Sequence, residues 1–171
     1  ILAGCGKMGG AMLDGWIESG HADGGVHVIE PFAAAVERFA NAPQVTLHRT
    51  ADEIPARVTP TVVILAVKPQ TMDEAIVPLR RFVGPDTVFL SIAAGKTIAY
   101  FESKLGAEAA IVRAMPNTPA AVGRGITVHA PNVRVSDEQN TICGTLLSAV
   151  GEVIAVEDEE LLDPVTAVSG S

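Results

Sequence analysis

The chain has 171 residues, 48% of them hydrophobic, a mean hydropathy of +0.33 and a formal net charge of −8. That composition fits one substantial globular domain and excludes a disordered chain, and its 12 Lys and Arg are too few and too scattered for a nucleic-acid groove. The longest apolar runs, such as TVVILAV at 61–67, are strand length and too short to span a membrane. No basic segment precedes Ile1, so no signal peptide is expected, and a start inside a core-like run without Met points to a clipped beginning. Cys5 and Cys143 lie far apart with no CxxC spacing, which favours reduced thiols in a cytoplasmic protein. His21, His27, His48 and His129 show no metal-ligand spacing; each is expected at the surface or a strand edge, and no metal is expected.

In chain order, Ile1–Ala3 reads as a strand that runs into Gly4-Cys5-Gly6-Lys7-Met8-Gly9, a G-x-G-x-x-G pattern. Met8, Met12 and Trp16 then recur at helical spacing. Between a strand and a helix, Gly4 permits the sharp turn, Gly6 lets the backbone approach a pyrophosphate, and Gly9 lets the helix press on the strand. The helix N-terminus offers free N–H groups to the anion. A second strand, Val26–Ile29, ends at Glu30, about 20 residues past the loop, where a carboxylate can accept both ribose hydroxyls of an adenosine. The same carboxylate repels a 2′-phosphate, and no Arg or Lys follows until Arg38, so the local chemistry leans toward NADH.

A third strand is expected at Val45–Leu47 and a fourth at Thr61–Val67, buried on both faces. Ala66-Val67-Lys68-Pro69-Gln70 follows, with Pro69 stopping the strand and Lys68 at its mouth. Thr71 and Glu74 suggest a capping box for a helix whose stripe runs from Met72 and Ile76 through Leu79 and Val83. Thr87–Ser91 is a fifth strand, and Ser91-Ile92-Ala93-Ala94-Gly95 gives a small-residue turn that lets a ribose or flat ring approach. Ala110–Arg113 is a sixth strand, then Arg113 to Ala120 forms a stiff non-helical loop with Asn117 between two prolines. The Asn117 amide fits either a nicotinamide carboxamide or an Asx turn. Ile126–His129, a helix from the Ser136/Gln139 capping box with an Ile142/Leu146/Val150 stripe, and Glu152–Val156 complete the pattern. Strands alternating with helices predict an α/β, doubly wound, mostly parallel sheet. GxSxG, HExxH and GxxxxGK[ST] are absent, which disfavours a hydrolase or an ATPase.

ILAGCGKMGGAML, AVKPQ at 66–70, SIAAG at 91–95, RAMPNTPAAVGRG at 113–125 and the closing VEDEELLDPVTAVSGS run in one order. Together they resemble pyrroline-5-carboxylate reductases. The resemblance implies a Rossmann-like dinucleotide-binding domain at 1–156. Residues 157–171 would be the junction to an all-helical dimerisation domain that is missing from this chain. It implies reduction of the C=N bond of 1-pyrroline-5-carboxylate to L-proline by NADPH or NADH, in a cytoplasmic homo-oligomer with no membrane or nucleic-acid partner. Gly4, Cys5, Gly6, Lys7, Met8 and Gly9 would hold the diphosphate. Ala66, Val67, Lys68 and Pro69 would line the adenosine and ribose path. Ala93, Ala94 and Gly95, with Met115, Pro116 and Asn117, would frame the nicotinamide, and Ser169, Gly170 and Ser171 would form the edge of the substrate site. No residue is assigned as catalytic, because an iminium held near a dihydronicotinamide needs alignment more than a strong acid. Without the second domain the chain is expected to bind dinucleotide but to turn over poorly. A β-hydroxyacid-dehydrogenase-like reductase and a dinucleotide-binding sensor remain alternatives.

Overall fold

The computed structural model describes residues 1–162 and Pro164. Among these residues eight strands form one sheet: β1 (Leu2–Ala3), β2 (Val26–Ile29), β3 (Val45–His48), β4 (Val62–Leu65), β5 (Val88–Ser91), β6 (Ala110–Pro116), β7 (Gly125–Pro131) and β8 (Gly151–Ala155). Their spatial order is β3-β2-β1-β4-β5-β6-β7-β8, parallel everywhere except the β6–β7 pair. The first six follow the doubly wound order, with the topological switch between β1 and β4. All eight expected strands are present. Around them lie α1 (Lys7–Ser19), α2 (Ala33–Val36), α3 (Met72–Ile76), α4 (Ile98–Leu105) and α5 (Asp137–Ser148).

Successive strand residues point to opposite faces, so the sheet carries two cores. Leu2, Val28, Val62, Ile64, Val88, Leu90 and Val112 pack with Met12, Leu13 and Trp16 of α1 and Cys143 and Leu147 of α5. Ala3, Val63, Leu65, Phe89 and Ile111 pack with Met72 and Ile76 of α3 and Phe101 and Leu105 of α4. Val62–Leu65 is buried on both faces, which is why its sequence shows no polar alternation.

Several local expectations are corrected. The helix expected from Thr71 to Val83 is α3 followed by a 3₁₀ segment at Val77–Phe82. Pro78 removes a donor and crowds the carbonyl four residues back, so the α-helix ends before it. Thr71 does not form a capping box; its hydroxyl donates to Lys68 O at 3.1 Å. The Ser136/Gln139 box forms reciprocally. The buried face of α5 is Gln139, Cys143 and Leu147, with Ile142 and Leu146 only flanking it. The stretch expected as a loop from Arg113 to Ala120 continues β6 to Pro116 and then makes a 3₁₀ turn at Thr118–Val122. Pro116, the last residue of the strand, has no N–H to give the ladder, and the next donor, the Asn117 N–H, bonds Ile126 O. His129 is a buried residue of β7, not a surface one.

The registers raise a wall beside the carboxyl ends of the strands. Ser91, the last residue of β5, pairs with Arg113, so Ala114–Pro116 extend beyond it. β7 pairs with that extension, Pro116 opposite Thr127, and β8 pairs with β7 from Gly151 opposite Gly125. At the top the two backbones touch: a β-carbon on Gly151 would overlap Gly125 O. At the base, Arg113 (2% exposed) pairs with Glu159 at 3.2 Å, and Glu159 also accepts the Ile98 N–H at 2.9 Å. That pair fastens the chain after β8 to the start of α4.

Candidate functional site

The glycine turn lies at the switch point. Gly4 has φ +92°, and its N–H donates to Ile29 O at 2.9 Å. A β-carbon there would lie 2.7 Å from Ala66 O, and one on Gly9 would overlap Gly4 O. Both glycines are therefore demanded by the protein's own backbone. Gly6 is different. A β-carbon on it would meet nothing within 4 Å, and its φ of −69° suits any residue. The room it leaves is open to the outside of the molecule. Gly6 also precedes α1 without any side-chain cap, so the first-turn N–H groups of a 13-residue helix are available to an external acceptor.

Glu30 is 9% exposed and is turned onto the turn itself. Its Oε2 accepts the Cys5 N–H at 2.8 Å and its Oε1 accepts the Phe32 N–H at 3.1 Å. Beside the turn opens a cavity of about 390 Å³ lined by Cys5, Gly6, Lys7, Ala11, Asp14, Ala35 and Arg38. Glu30 is not among these residues. Burial, then the Glu30 charge, pushes the Cys5 thiol up to about 11, so it lines the cavity as a neutral group and not as a nucleophile. Arg38 reaches across from the segment after α2 and pairs with Asp14 at 2.8 Å. Its guanidinium lies where a β-carbon on Gly10 would come within 2.6 Å. Sequence reasoning did not single out Ala11, Asp14, Ala35 or Arg38. The spacing of Lys7, Ala11 and Asp14 on one helix face was the available signal; the approach of Arg38 had none.

The remaining candidates divide between turn and wall. Ala66 and Val67 press against Gly4 and Gly9, so the loop after β4 and the glycine turn form one surface. Lys68 is exposed and precedes a 3₁₀ turn begun by Pro69. Ala93 is buried, its N–H bonded to Ser91 Oγ at 3.2 Å, while Ala94 and Gly95 are exposed, Gly95 at φ +71°. Met115 is packed with Val128, Ala130 and Leu162, and Pro116 ends β6. The Asn117 Oδ1 accepts the Ile126 N–H at 2.9 Å, which ties β6 to β7. Ser169, Gly170 and Ser171 lie outside the described residues. Among the described residues there is no group of three or more potential metal ligands, and no helix is long and apolar enough to cross a membrane.

Residues 1–95 match the family described as "NADP oxidoreductase coenzyme F420-dependent". The chain belongs to this family. The NADP oxidoreductase match takes in β1 to β5, the glycine turn, Glu30 and the loops at 66–69 and 93–95. The chain is 36% identical over 176 residues to the pyrroline-5-carboxylate reductase of Mycobacterium tuberculosis H37Rv, an alignment covering 99% of this chain and 58% of that protein. It is 35% identical over 168 residues to the enzyme of Pseudomonas aeruginosa, covering 98% of this chain and 61% of the relative. A pyrroline-5-carboxylate reductase structure from Coxiella burnetii superposes with a TM-score of 0.90 at 29% identity, covering 99% of this chain and 63% of that one. The chain thus spans about three-fifths of the length of these relatives.

Proposed function

We propose that the chain is the dinucleotide-binding part of a pyrroline-5-carboxylate reductase. The observation that carries this is Gly6: the one glycine of the turn that internal packing does not explain stands over free helix N–H groups, as a diphosphate requires. In this proposal Gly4 to Gly9 hold the diphosphate, with Glu30 bracing Cys5 so that the loop is formed before the ligand arrives. Ala66, Val67, Lys68 and Pro69 line the adenosine side. Ala93, Ala94 and Gly95, with Met115 and Pro116 on the wall, border the nicotinamide side, and Asn117 holds the wall in place through β7. When bound, the dihydronicotinamide supplies the hydride that converts protonated 1-pyrroline-5-carboxylate to L-proline. The protein's task is then to fix the imine carbon at the ring face and exclude water, a contribution worth up to about 7–11 kcal/mol of barrier. The division at 156/157, the homo-oligomer and a cytoplasmic setting, which two buried free thiols suit, belong to the same proposal.

Fluorescence titration of the chain with NADH and NADPH tests the binding step, and loss of dihydronicotinamide absorbance with 1-pyrroline-5-carboxylate, together with proline formed, tests the reaction in a full-length protein that carries this domain. Nucleotide oxidation coupled to proline supports the proposal. A folded protein that ignores both nucleotides refutes it.

A further inference from the structure

We infer that Arg113 and Glu159 are positioning residues for hydride transfer. The pair fixes the spacing between the loop at 92–97 and the chain leaving β8, across which the imine must approach the ring. This rests on the reductase reading above, which puts the nicotinamide beside Ala93, Ala94 and Gly95, and on the expected edge of the substrate site at Ser169, Gly170 and Ser171, a few residues beyond Leu162 in the sequence.

Packing does not account for Arg113. Two residues back, on the same face of β6, Ile111 is fully buried in a core with Phe89, Phe101 and Leu105. An apolar side chain at 113 would continue that core. The guanidinium there is instead 2% exposed and has Glu159, 46 residues further on, at 3.2 Å. A buried ion pair adds little stability over apolar side chains of similar volume. What it does here is select one arrangement of the segments that carry its two members.

Three segments meet at Glu159. Its Oε2 accepts from Arg113 of β6 and from the N–H of Ile98, the first residue of α4, at 2.9 Å. The neighbouring Tyr100 N–H is satisfied locally, by Thr97 Oγ1 at 3.1 Å, whereas Ile98 takes a partner 61 residues away. The loop from β5 to α4 is thus held at both ends: the Ile92 N–H bonds Leu65 O at 3.2 Å, and Glu159 holds Ile98. Glu159 also opens a 3₁₀ turn, Glu159–Leu161, which Asp158 caps by accepting the Glu160 N–H at 2.9 Å. Leu162 follows, fully buried with Met115 of the wall. The exit chain therefore has a polar hold and an apolar one, and the polar one reaches the loop.

A misplacement of about 1 Å is enough to cost about 100-fold in rate, so a device that sets this spacing acts on the chemical step. The glycine turn is built from β1, β2 and the loop after β4, and neither Arg113 nor Glu159 belongs to those elements. Dinucleotide affinity should therefore be spared.

The test uses a full-length protein that carries this domain, assayed with 1-pyrroline-5-carboxylate. Glu159→Ala and Arg113→Met should lower kcat at least about tenfold while the Kd for the dinucleotide stays within about threefold. The primary isotope effect on kcat, measured with dinucleotide deuterated at the transferred position, should rise above the wild-type value in both. Glu159→Gln keeps an oxygen that accepts from Ile98 and Arg113, and should hold kcat within about threefold of wild type. Thermal melts establish folding, and because Glu159 is 24% exposed its two variants carry the test even where Arg113→Met does not fold. An unchanged kcat in Glu159→Ala, an unchanged isotope effect, a Kd that worsens as far as kcat falls, or a Glu159→Gln no better than Glu159→Ala overturns the inference and leaves the reductase reading standing. A wild-type protein that binds dinucleotide but forms no proline overturns both.

Discussion

Gly6 and Gly9 belong to one motif yet answer to different constraints, and single substitutions separate them. Gly6→Ala places a methyl group in open space at an ordinary φ, so stability should stay within about 0.5 kcal/mol while dinucleotide affinity falls by more than about tenfold. Gly9→Ala puts the same methyl group into Gly4 O, and the melting temperature should drop sharply before any binding is measured. Glu30→Gln removes a charge-assisted acceptor from the Cys5 and Phe32 N–H groups, costing about 1–3 kcal/mol in denaturant unfolding and loosening the turn. The positions of these residues were legible, because a glycine pattern between strand and helix and an acid at the next strand end are local signals. What Glu30 bonds was not legible. A carboxylate chooses between a ligand hydroxyl and a neighbouring amide in three dimensions, and the Cys5 amide lies 25 positions away in sequence.

The strands of the sheet were readable from runs of apolar residues, whereas their ends and the short helices were not. The Met72-to-Val83 stripe kept its helical period while Pro78 changed the helix type, since periodicity records which side chains are buried and not which carbonyls are bonded. Asn132, which immediately follows β7, carried no motif at all. Its Oδ1 accepts the Ile111 and Arg134 N–H groups, and its Nδ2 donates to Ala109 O and to Glu102 Oε1. This one amide pins β6, the end of α4 and the exit from β7 together. Asn132→Ala leaves a buried N–H and a buried carbonyl without partners and should cost about 2–4 kcal/mol, read as a shift in the urea midpoint with an unchanged slope.

For the molecule as a whole, three histidines link stability to pH. His27 Nδ1 and His48 Nε2 lie 2.8 Å apart on β2 and β3, and His129 Nε2 bonds Asn140 of α5. Burial lowers all three; His48 lowers His27 further, while Glu53 opposes the shift at His48 and the Asn140 bond opposes it at His129. Their folded values therefore lie below the unfolded value of 6.5, and below that pH the unfolded chain binds more protons. Stability is complete above the unfolded value and declines as the solution is acidified through it. Melting curves taken from about pH 7.5 down to about 5.5 should show a falling midpoint, and His48→Gln should flatten part of the slope.

The paired glycines at the summit of β7 and β8 carry one more implication, for anyone who exchanges parts between this chain and its relatives. Where Gly151 meets Gly125, main chain rests directly on main chain, and no choice of residue can adjust the gap. A chimera that imports β7 alone must reproduce that fit by accident. One that imports β7, α5 and β8 as a block carries the fit with it, and with it the height of the barrier beside the carboxyl ends of the strands.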